Sequence, residues 1–559
     1  MTALAVSARV HGLPQPTPPL GRRGTAARAA LPALSPPLRC WAAVGTVVSG
    51  TQGPAAASFG VPAALAGFAG FAGFAAAAAS ASLASASLAS RRRRLRRRGA
   101  ALGALGRGWR GGRRGRSSES LLCATATVDA ALAAGRGTQE APRRLRVLLL
   151  GGAGRIGTAA AAHLARRWLA AEAGSEVQLE LAGRDPQKGQ VAVDEIMGEL
   201  QGLDGVMCSF HRLDWSLPGA LDELLGSLNV DALLHTAGPF DGDPETGVLA
   251  AAIRAKVPVY VDVSDPMAYI AKARSLSEAA KDSDTMALIC AGAFPGFSNV
   301  LAVECARRLC PAVAGAAGES GLKDLDFAYF TAGLGGSGAV NLLITNLGFG
   351  EPVPLYRDGK YDPQMIAGGG SRPVSFFIEE GDAAFNLVGE REVWPWPFPE
   401  AATVAGHLRI SGNSSTGMGT APEIWNTILV ALVALVPRGL WRERWFSEGM
   451  AWFSLPLVWV TDKFVSETHA IRVEATASDG RRCVAVQTHK SFRSCVAQSS
   501  AEFALDLLER RRRRTEEGAP WKPGVWLPEE LADDAAWRPK LLHRLSSTPG
   551  TVSCEFRTL

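Results

Sequence analysis

From Leu145 onward, short apolar runs alternate with longer stretches in which apolar residues recur every three or four positions. Most of the short runs are hydrophobic at successive positions, as expected of strands that are covered on both faces. The longer stretches have the periodicity of amphipathic helices. The pattern predicts strands at 145–150, 176–182, 205–213, 231–236, 257–263 and 286–291, with helices between them at 157–171, 186–200, 218–228, 244–256 and 268–281.

Strictly alternating strands and helices predict right-handed crossovers and a doubly wound parallel sheet, so the fold class is α/β for this part of the chain. After Asn299 the pattern changes, because strands then follow strands. This change predicts a second, α+β domain whose sheet is mostly antiparallel. Its predicted elements are a helix at 299–310 and strands at 325–331, 373–378, 403–410, 469–475 and 482–489.

The resulting domain organisation has five parts. We expect a targeting leader at 1–118, a linker at 119–141, the parallel-sheet domain at 142–299 and the α+β domain at 300–490. A C-terminal helix and tail, 491–559, is expected to return to the first domain through the segment 522–531.

The first predicted strand is followed by the sequence GAGRIG, which satisfies the pattern G-x-G-x-x-G of dinucleotide-binding turns. Gly152 would permit the tight turn, Gly154 would let a diphosphate approach the backbone, and Gly157 would let helix and strand pack closely. The amides of Arg155 and Ile156 would then face the phosphates at the start of the helix. The motif therefore predicts a nucleotide site at this turn.

The end of the second strand bears on the choice of cofactor. An acidic residue would suit the ribose hydroxyls of NAD, but this chain has Gly183 and Arg184 there, with Asp185 one residue later. A guanidinium suits a 2′-phosphate, so we expect NADP, with NAD as the less favoured cofactor. The alternative is that Arg184 is a solvated surface residue and Asp185 only caps the following helix.

The third and fourth strands end in further candidate residues. Asp214 follows the third strand, at a position close to the adenine in this type of sheet. Ala237 and Gly238 follow the fourth strand, and their small size would let the nicotinamide half of the cofactor lie across the strand tips. His235 is a candidate acid or base, although a histidine near a strand end is more often a core residue.

Charge is distributed very unevenly along the chain. Residues 1–118 contain 17 arginines and no lysine, aspartate or glutamate. The whole chain has 59 basic and 53 acidic residues, so removing these 17 arginines leaves a net charge of −11. An acidic body does not favour nucleic-acid binding. The leader is typical of an organelle transit peptide and is expected to be disordered, with a plastid favoured and a mitochondrion as the alternative.

Two features of the leader leave other interpretations open. Residues 91–98, RRRRLRRR, also resemble a nuclear signal, and the composition is compatible with a low-complexity extension. Residues 61–79 contain no polar side chain and are long enough for a membrane span, or for a second, cleaved targeting element.

The nine cysteines and eight histidines give no metal-ligand spacing, and no C-x-x-C pair is present. We therefore expect no metal, and we expect reduced thiols.

Several stretches together resemble one family. LLLGGAGRIG, AGRDPQK, LLHTAGPFDG, VPVYVDVSD and AGAFPGFSNVLA are similar, in order and spacing, to motifs of saccharopine dehydrogenase-like oxidoreductases. PEIWNTILVALVALVPR, FSEGMAWFSLPLVWVTDKFV and ETHAIRVEATASDG look like the plant and algal branch of that family. The resemblance spans residues 145–531 and implies an NADP-binding Rossmann domain followed by an α+β domain. It does not specify the substrate.

The resemblance also implies which residues form the site. It assigns the nucleotide to the glycine motif, Arg184, Asp214, Ala237 and Gly238, and it turns residues 262–265 and 294–299 toward the nicotinamide and the substrate. Reduction of a carbonyl or imine needs a polar group that handles a proton, and the catalytic candidates are Asp265 and Asn299. The alternative for both is a helix cap.

Residues 424–460 contain two nearly apolar runs, each shorter than a membrane span. Between them lie tryptophans and arginines, which favour peripheral contact with a membrane or access for a lipid-like substrate. The alternative is a pair of core helices or a homodimer interface. The glycine-rich segment 411–420 is expected to be a lid or a surface loop.

Two functions follow from these patterns. The first is an NADP-dependent oxidoreductase that acts on a carbonyl, imine or enoyl compound. The second is a dinucleotide-binding protein without turnover, such as a redox sensor or a scaffold at an organelle membrane.

Overall fold

The structure is a computed structural model that describes residues 143–171, 174–238, 240, 246–311, 321–333, 339–515 and 521–559. The expected leader (1–118) and linker (119–141) lie outside the described residues. The described residues form two β-sheets with helices packed against them.

The elements are numbered in chain order. The strands are β1 (Arg144–Leu150), β2 (Glu176–Gly183), β3 (Val206–Arg212), β4 (Ala232–His235), β5 (Val259–Asp262), β6 (Met286–Leu288), β7 (Leu322–Ala332), β8 (Tyr356–Arg357), β9 (Lys360–Tyr361), β10 (Arg372–Ser375), β11 (Glu390–Pro395), β12 (Ser414–Ala421), β13 (Thr468–Ala477), β14 (Arg482–His489), β15 (Gly524–Trp526) and β16 (Thr551–Thr558). The helices are α1 (Arg155–Ala171), α2 (Pro186–Glu199), α3 (Ala220–Leu228), α4 (Gly247–Arg254), α5 (Met267–Arg274), α6 (Ser277–Asp282), α7 (Phe297–Leu309), α8 (Ala339–Gly348), α9 (Ala383–Leu387), α10 (Glu400–Leu408), α11 (Ile424–Leu435), α12 (Arg438–Arg442), α13 (Arg444–Asp462), α14 (Phe492–Arg512), α15 (Pro528–Ala532) and α16 (Arg538–Ser546).

The first sheet is parallel throughout, in the order β15-β6-β5-β4-β1-β2-β3. In the register of β1, Leu150 lies opposite Ala182 of β2 and His235 of β4. The loops that follow these strands therefore meet along one edge, where ligands bind to open sheets of this kind. The predicted doubly wound parallel sheet is confirmed.

The reason for this architecture can be seen in β1. Val147 and Leu149 belong to a core with α1 and α2, whereas Leu148 and Leu150 belong to a core with α3 and α4 on the opposite face. Both faces of β1 are thus covered by helices, which explains why this strand is not amphipathic. The helix predicted at 268–281 is divided into α5 and α6.

The second sheet is mixed and mostly antiparallel, in the order β10-β11-β12-β7-β13-β14-β16, with the β8–β9 hairpin beside β12. Its one parallel pair among the described strands is β7 with β12. In β7, Phe327 and Tyr329 face the core shared with α7, and Ala328 and Phe330 face a smaller core on the other side. The predicted α+β arrangement is confirmed.

Two predictions in this region are wrong. Residues 403–410 were expected to form a strand, but they lie mainly in α10. The buried residues Ala401, Val404, Ala405 and Leu408 recur at helical spacing, whereas the apparent alternation came from only a few positions near the helix end.

The glycine-rich segment 411–420 is neither a lid nor a surface loop, because most of it is strand β12 inside the sheet. A Cβ on Gly419 would lie only 2.2 Å from the carbonyl oxygen of Glu392 on β11. Glycine there permits close packing of strands and does not indicate mobility.

Helix α14 connects the two halves of the molecule, since it packs on α1 and also contacts β13. The buried Glu502 of α14 accepts a hydrogen bond from Arg167 of α1 at 2.7 Å and lies 2.8 Å from His163 Nε2. The first turn of α14 is capped by Ser491, whose hydroxyl accepts from the amide of Ser494 at 3.2 Å. The contacts of Glu502 thus join the middle of α14 to α1.

Helices α11, α12 and α13 follow β12; α12 and α13 lie against α8, whereas α11 lies against β12. Asn426 of α11 donates to the carbonyl of Thr420 at 2.9 Å, and Asn346 of α8 donates to the carbonyl of Ser447 in α13 at 3.0 Å. Within the part of the chain that the structure describes, no helix combines the length and the hydrophobicity that crossing a membrane requires.

Candidate functional site

The turn between β1 and α1 depends on three glycines. Gly151 has a φ of +80°, and a Cβ there would lie 2.8 Å from the amide nitrogen of Ala237. A Cβ on Gly157 would lie 2.4 Å from the carbonyl oxygen of Gly151, and one on Gly152 would lie 2.8 Å from that of Leu149. The tight turn is therefore made by Gly151 and not by Gly152, which the motif had suggested. Gly152 and Gly157 are required for close packing.

The turn presents backbone amides at the start of α1. Gly154 is exposed, and its amide donates to the carbonyl of Gly151 at 2.8 Å. The bond from Thr158 to the carbonyl of Gly154, 2.9 Å long, closes the first helical turn. The amides of Arg155, Ile156 and Gly157 precede it, so they point out of the helix toward this edge of the sheet. Such a helix start attracts anions.

A second helix brings another cation to the same turn. Arg155 Nη1 and Arg493 Nε are both buried and have no hydrogen-bond partner among the described residues. Burial lowers the pKa of Arg155 first, and the neighbouring positive charge of Arg493 lowers it further, while Glu467 and Asp462 oppose the shift. Two guanidiniums with unpaired N–H groups fit an anion such as a diphosphate.

Nothing in the sequence pattern indicates Arg493 as a site residue. It lies in the first turn of α14, far along the chain from the glycine motif, and it carries no motif of its own. Only the packing of α14 on α1 brings it to the turn.

The end of β2 presents exposed charged groups. Arg184 is exposed directly after the strand, and Asp185 caps α2 by accepting from the amides of Gln187 and Lys188 at 3.0 and 3.2 Å. The capping role that the sequence allowed for Asp185 is therefore confirmed. The exposed guanidinium of Arg184 remains available at the corner of the sheet.

Asp214 lies close to Arg184, and its carboxylate accepts hydrogen bonds from within its own turn. Its Oδ1 accepts from the amide and the hydroxyl of Ser216 at 3.1 and 2.6 Å. Its pKa is lowered, first by the hydroxyl of Ser216 and more weakly by the charge of Arg184. Arg184 and Asp214 thus place a positive and a negative side chain close together beside the ends of β2 and β3.

His235 ends β4 and belongs to the core. Its ring is packed edge-on against Trp215, with centroids 5.8 Å apart, and against Phe240, with centroids 4.8 Å apart. Burial lowers its pKa to about 3, so the imidazole is neutral at physiological pH. The next residues, Ala237 and Gly238, are half-buried beside the glycine turn.

The loop after β5 contains the first catalytic candidate. Asp262 at the strand end is fully buried and accepts hydrogen bonds from Tyr260, Ser264, Tyr269 and the amide of Cys290. Burial raises its pKa although these donors oppose the shift. This carboxyl group therefore organises the start of the loop, in which Asp265 is half-buried.

The second catalytic candidate, Asn299, is buried in a polar network. Its Oδ1 accepts from the amide of Gly296 at 2.9 Å, and its Nδ2 donates to Glu529 at 2.7 Å. The neighbouring Ser298 donates to Glu400 at 2.9 Å, and Tyr329 donates to the same carboxyl oxygen at 2.6 Å. Asn299 thus caps α7 from within and joins it to α15.

The carboxyl groups in this network are unusual because both are buried. Desolvation raises the pKa of Glu400 to about 7, against the hydrogen bonds from Tyr329 and Ser298. Desolvation also raises the pKa of Glu529. The network thus contains two buried carboxyl groups whose pKa values are both raised, and it adjoins the loop of residues 294–299 through Ser298 and Asn299.

The aromatic ring of Phe294 stands between the two sheets. It is stacked on Tyr329, with centroids 4.2 Å apart and planes 11° apart, and it lies 5.2 Å from the rings of both His469 and Phe492. Burial lowers the pKa of His469 to about 3. This cluster forms an apolar wall at the carboxyl edge of the first sheet.

The described residues provide no set of side chains that could bind a metal ion. Among those residues, no three His, Cys, Asp or Glu side chains are grouped so that they could hold a metal ion.

No protein-family model matches the chain, and no curated protein matches it. Solved structures similar to it include an apo, histidine-tagged saccharopine dehydrogenase (L-Glu forming) from Saccharomyces cerevisiae, at 15% identity over 74% of this chain and 100% of that chain, with a TM-score of 0.46. Homospermidine synthase from Legionella pneumophila, in complex with NAD, is similar at 12% identity over 74% of this chain and 92% of that chain, with a TM-score of 0.44. A short-chain dehydrogenase from Sphingobium yanoikuyae, in complex with NADPH, is similar at 17% identity over 26% of this chain and 70% of that chain, with a TM-score of 0.19.

Proposed function

We propose that the protein is a dinucleotide-dependent oxidoreductase that prefers NADP to NAD and acts on a carbonyl, imine or enoyl substrate. One observation carries the proposal. The glycine turn after β1 presents helix-start amides, and two half-buried, neighbouring arginines at the starts of α1 and α14, Arg155 and Arg493, each have a buried N–H nitrogen without a hydrogen-bond partner among the described residues. A diphosphate would satisfy both sets of donors at once.

The remaining parts of the cofactor would lie along the carboxyl edge of the first sheet. Arg184 would bind a 2′-phosphate, with Asp214 beside it toward the adenosine. Ala237 and Gly238 leave room for a flat ring across the strand tips. A bound nicotinamide would supply the hydride chemistry, and the protein would fix distance and orientation.

The two catalytic candidates take different roles. Asp265 lies half-buried in the loop after β5, where it can hold a proton near a reacting group. Asn299 is engaged at both of its polar atoms, so we assign it as a positioning residue that fixes the loop of residues 294–299.

Turnover is tested separately from binding. NADPH consumption by the full-length chain is measured against keto acids with amines, enones, quinones and long-chain aldehydes. We expect consumption with at least one class and its loss in the Asp265→Asn variant, while NADPH binding is retained. Binding of NADPH with no consumption by any class would favour the alternative, a redox sensor or scaffold without turnover.

We further propose that the protein works in a plastid, with a mitochondrion as the alternative. The acid-free, arginine-rich leader of residues 1–118 supports this proposal. A fusion of residues 1–141 to a fluorescent protein is expected to enter chloroplasts, and a signal in the nucleus would contradict it.

A further inference from the structure

A cavity lies between the second sheet and the helices that follow β12. Its volume is about 160 Å³, and its walls include Leu342 of α8, Leu429 of α11 and Ser454 of α13, with Trp396 beside β11. This volume is close to the ~150 Å³ of an apolar cavity that holds a benzene ring. The cavity therefore accommodates one ring or the first few carbons of a chain.

One part of the cavity wall lies within electrostatic reach of the nucleotide turn, because its lining residue Asp462 acts on Arg155 at the start of α1. Thr331 and Gly333 also line the cavity. A Cβ on Gly333 would lie 3.0 Å from the amide nitrogen of Glu467, so β7 is in contact with the segment that follows α13. The charges of Asp462 and Glu467 both act on Arg155 at the start of α1. This part of the cavity wall is thus within electrostatic reach of the place where the cofactor would lie.

Another part of the cavity opens on an apolar surface. Val430, Phe453 and Leu457 line the cavity and are also exposed. A ligand longer than the cavity would leave it between these side chains and continue along α13.

Around this mouth lies a row of exposed tryptophans, which we call the aromatic rim. Trp445, Trp452 and Trp459 are spaced seven residues apart along α13, and their exposed fractions are 68%, 67% and 58%. The row extends over about 21 Å of helix, since each residue adds ~1.5 Å. Phe464, 71% exposed, continues it beyond the helix end. Tryptophan rows of this kind favour the interface between water and lipid.

A spacing of seven residues is also typical of helices that pair in a coiled coil, here with α13 of a second copy of the chain. The residues at the other coiled-coil positions of α13 do not fit such pairing. A coiled coil needs apolar residues three or four positions after each tryptophan. Two of those positions hold the charged residues Glu448 and Asp462, and Leu455 at the third is turned into the protein's own core. The tryptophans therefore have no partner positions for helix pairing.

The charges beside the aromatic rim are largely neutralised within the protein. Arg444 pairs with Glu448 at 2.9 Å, and Arg442 donates to the carbonyl of Gly350 at 2.8 Å. Contact with an uncharged bilayer therefore leaves these two arginines compensated within the protein. We expect apolar contact, and not attraction to anionic lipid, to dominate.

We propose that this cavity binds the apolar chain of a lipid-class substrate, whose reactive end points toward the nucleotide site. The substrate would be taken from a lipid bilayer that the aromatic rim contacts. The proposal rests on the proposed oxidoreductase function for the reaction, whereas binding of the chain does not depend on it.

The test uses the full-length chain, phosphatidylcholine vesicles and cis-parinaric acid, a fatty acid that fluoresces in apolar surroundings. Two substitutions of the aromatic rim, Trp452→Ser with Trp459→Ser, are expected to reduce vesicle binding about tenfold or more and to leave cis-parinaric acid binding nearly unchanged. The matched control is Val191→Ser, an exposed apolar residue of α2 far from α13, which should change neither. The comparison between variants also removes any contribution of the apolar residues 61–79 of the leader.

Filling the cavity should have the opposite effect. Ser454→Phe replaces a side chain that bonds only to its own helix, at the carbonyls of Met450 and Ala451, so the fold should tolerate it. Leu429→Trp is a second such variant on α11. Both are expected to abolish saturable binding of cis-parinaric acid while vesicle and NADPH binding persist. NADPH binding and the melting temperature show that each variant is folded.

The outcomes separate this inference from the proposed function. If wild-type protein binds NADPH but binds neither vesicles nor cis-parinaric acid, the inference is overturned and the oxidoreductase proposal stands. If lipid binding follows the predicted pattern and no dinucleotide binds, the oxidoreductase proposal fails alone. If the wild-type protein dimerises with increasing concentration but does not bind vesicles, and the rim variants lose this dimer, the rim binds a second copy of the chain. That result would overturn the proposal that the substrate comes from a membrane.

Discussion

At the scale of single residues, the site is marked by two neighbouring guanidiniums, each with a buried N–H nitrogen that has no hydrogen-bond partner among the described residues. Burial and the neighbouring charge of Arg493 both lower the pKa of Arg155. A bound anion would offset the repulsion between the two cations and accept hydrogen bonds from their unpaired nitrogens. This is why the pair points to a diphosphate more specifically than the glycines alone.

Arg184 determines the choice between the two cofactors in our account. We predict that Arg184→Asp weakens NADPH binding by about ten- to a hundredfold, since it removes a charge-assisted contact and adds repulsion, with a much smaller effect on NADH. Both affinities are measured by fluorescence titration. The control Arg166→Asp makes the same charge change in α1, where Arg166 lies 3.8 Å from exposed Glu199, and should alter neither affinity. Equal losses for NADPH and NADH would exclude the role in binding the 2′-phosphate.

Glu400 makes stability depend on pH. Its pKa is raised by burial from 4.5 to about 7, so the folded state keeps a proton that the unfolded state loses near pH 4.5. The free energy of unfolding should therefore fall as the pH rises between these values, by about 3 kcal/mol at most. Glu400→Gln should remove this slope because the amide cannot ionise.

The measurement is chemical denaturation at pH 5 and pH 8. The difference in stability between Glu400→Gln and wild type is expected to be more favourable to the variant at pH 8 than at pH 5. Glu199→Gln, an exposed residue at the end of α2, serves as the control and should keep the wild-type slope. An unchanged slope in Glu400→Gln would show that the carboxyl is ionised in the folded protein across this range.

At the scale of elements, the sequence predicted the first sheet well. Strands β1, β2, β4, β5 and β6 are largely buried, so their hydrophobicity is nearly continuous and easy to recognise, whereas the edge strand β3 is half-exposed. Helix α10 and strand β12 were missed because small residues dominate both, and alanine and glycine have little periodic contrast between apolar and polar positions. Their structure is set by neighbours, such as the close approach of β11 to Gly419.

The contact between α1 and the glycine turn is tested by Gly157→Ala. The added methyl group would lie 2.4 Å from the carbonyl oxygen of Gly151, so α1 must move away from the turn. We predict a loss of about 1–3 kcal/mol of stability and a loss of NADPH binding. Thermal denaturation and titration measure both.

The matched control is Gly198→Ala in α2, where a Cβ meets no atom within 4 Å. This variant should be as stable as wild type or slightly more stable, because alanine favours a helix. Normal NADPH binding by Gly157→Ala would mean that the turn is not the phosphate site.

At the scale of the whole molecule, the site could not be derived from sequence because it joins distant segments. The glycine turn, Arg184 and Asp214 come from motifs, but Arg493 reaches the turn only through the packing of α14 on α1. Likewise Asn299 was a catalytic candidate from its motif, while its partner Glu529 comes from the C-terminal tail. Long-range packing decides which polar residues stay accessible and which become buried.

The most direct test of the central claim is a fluorescence titration of the full-length chain with NADPH, for wild type and Arg493→Leu side by side. We predict saturable binding to wild type, competition by inorganic pyrophosphate, and an affinity at least about tenfold lower in Arg493→Leu. Absence of saturable binding of both NADPH and NADH to folded wild-type protein would contradict the account.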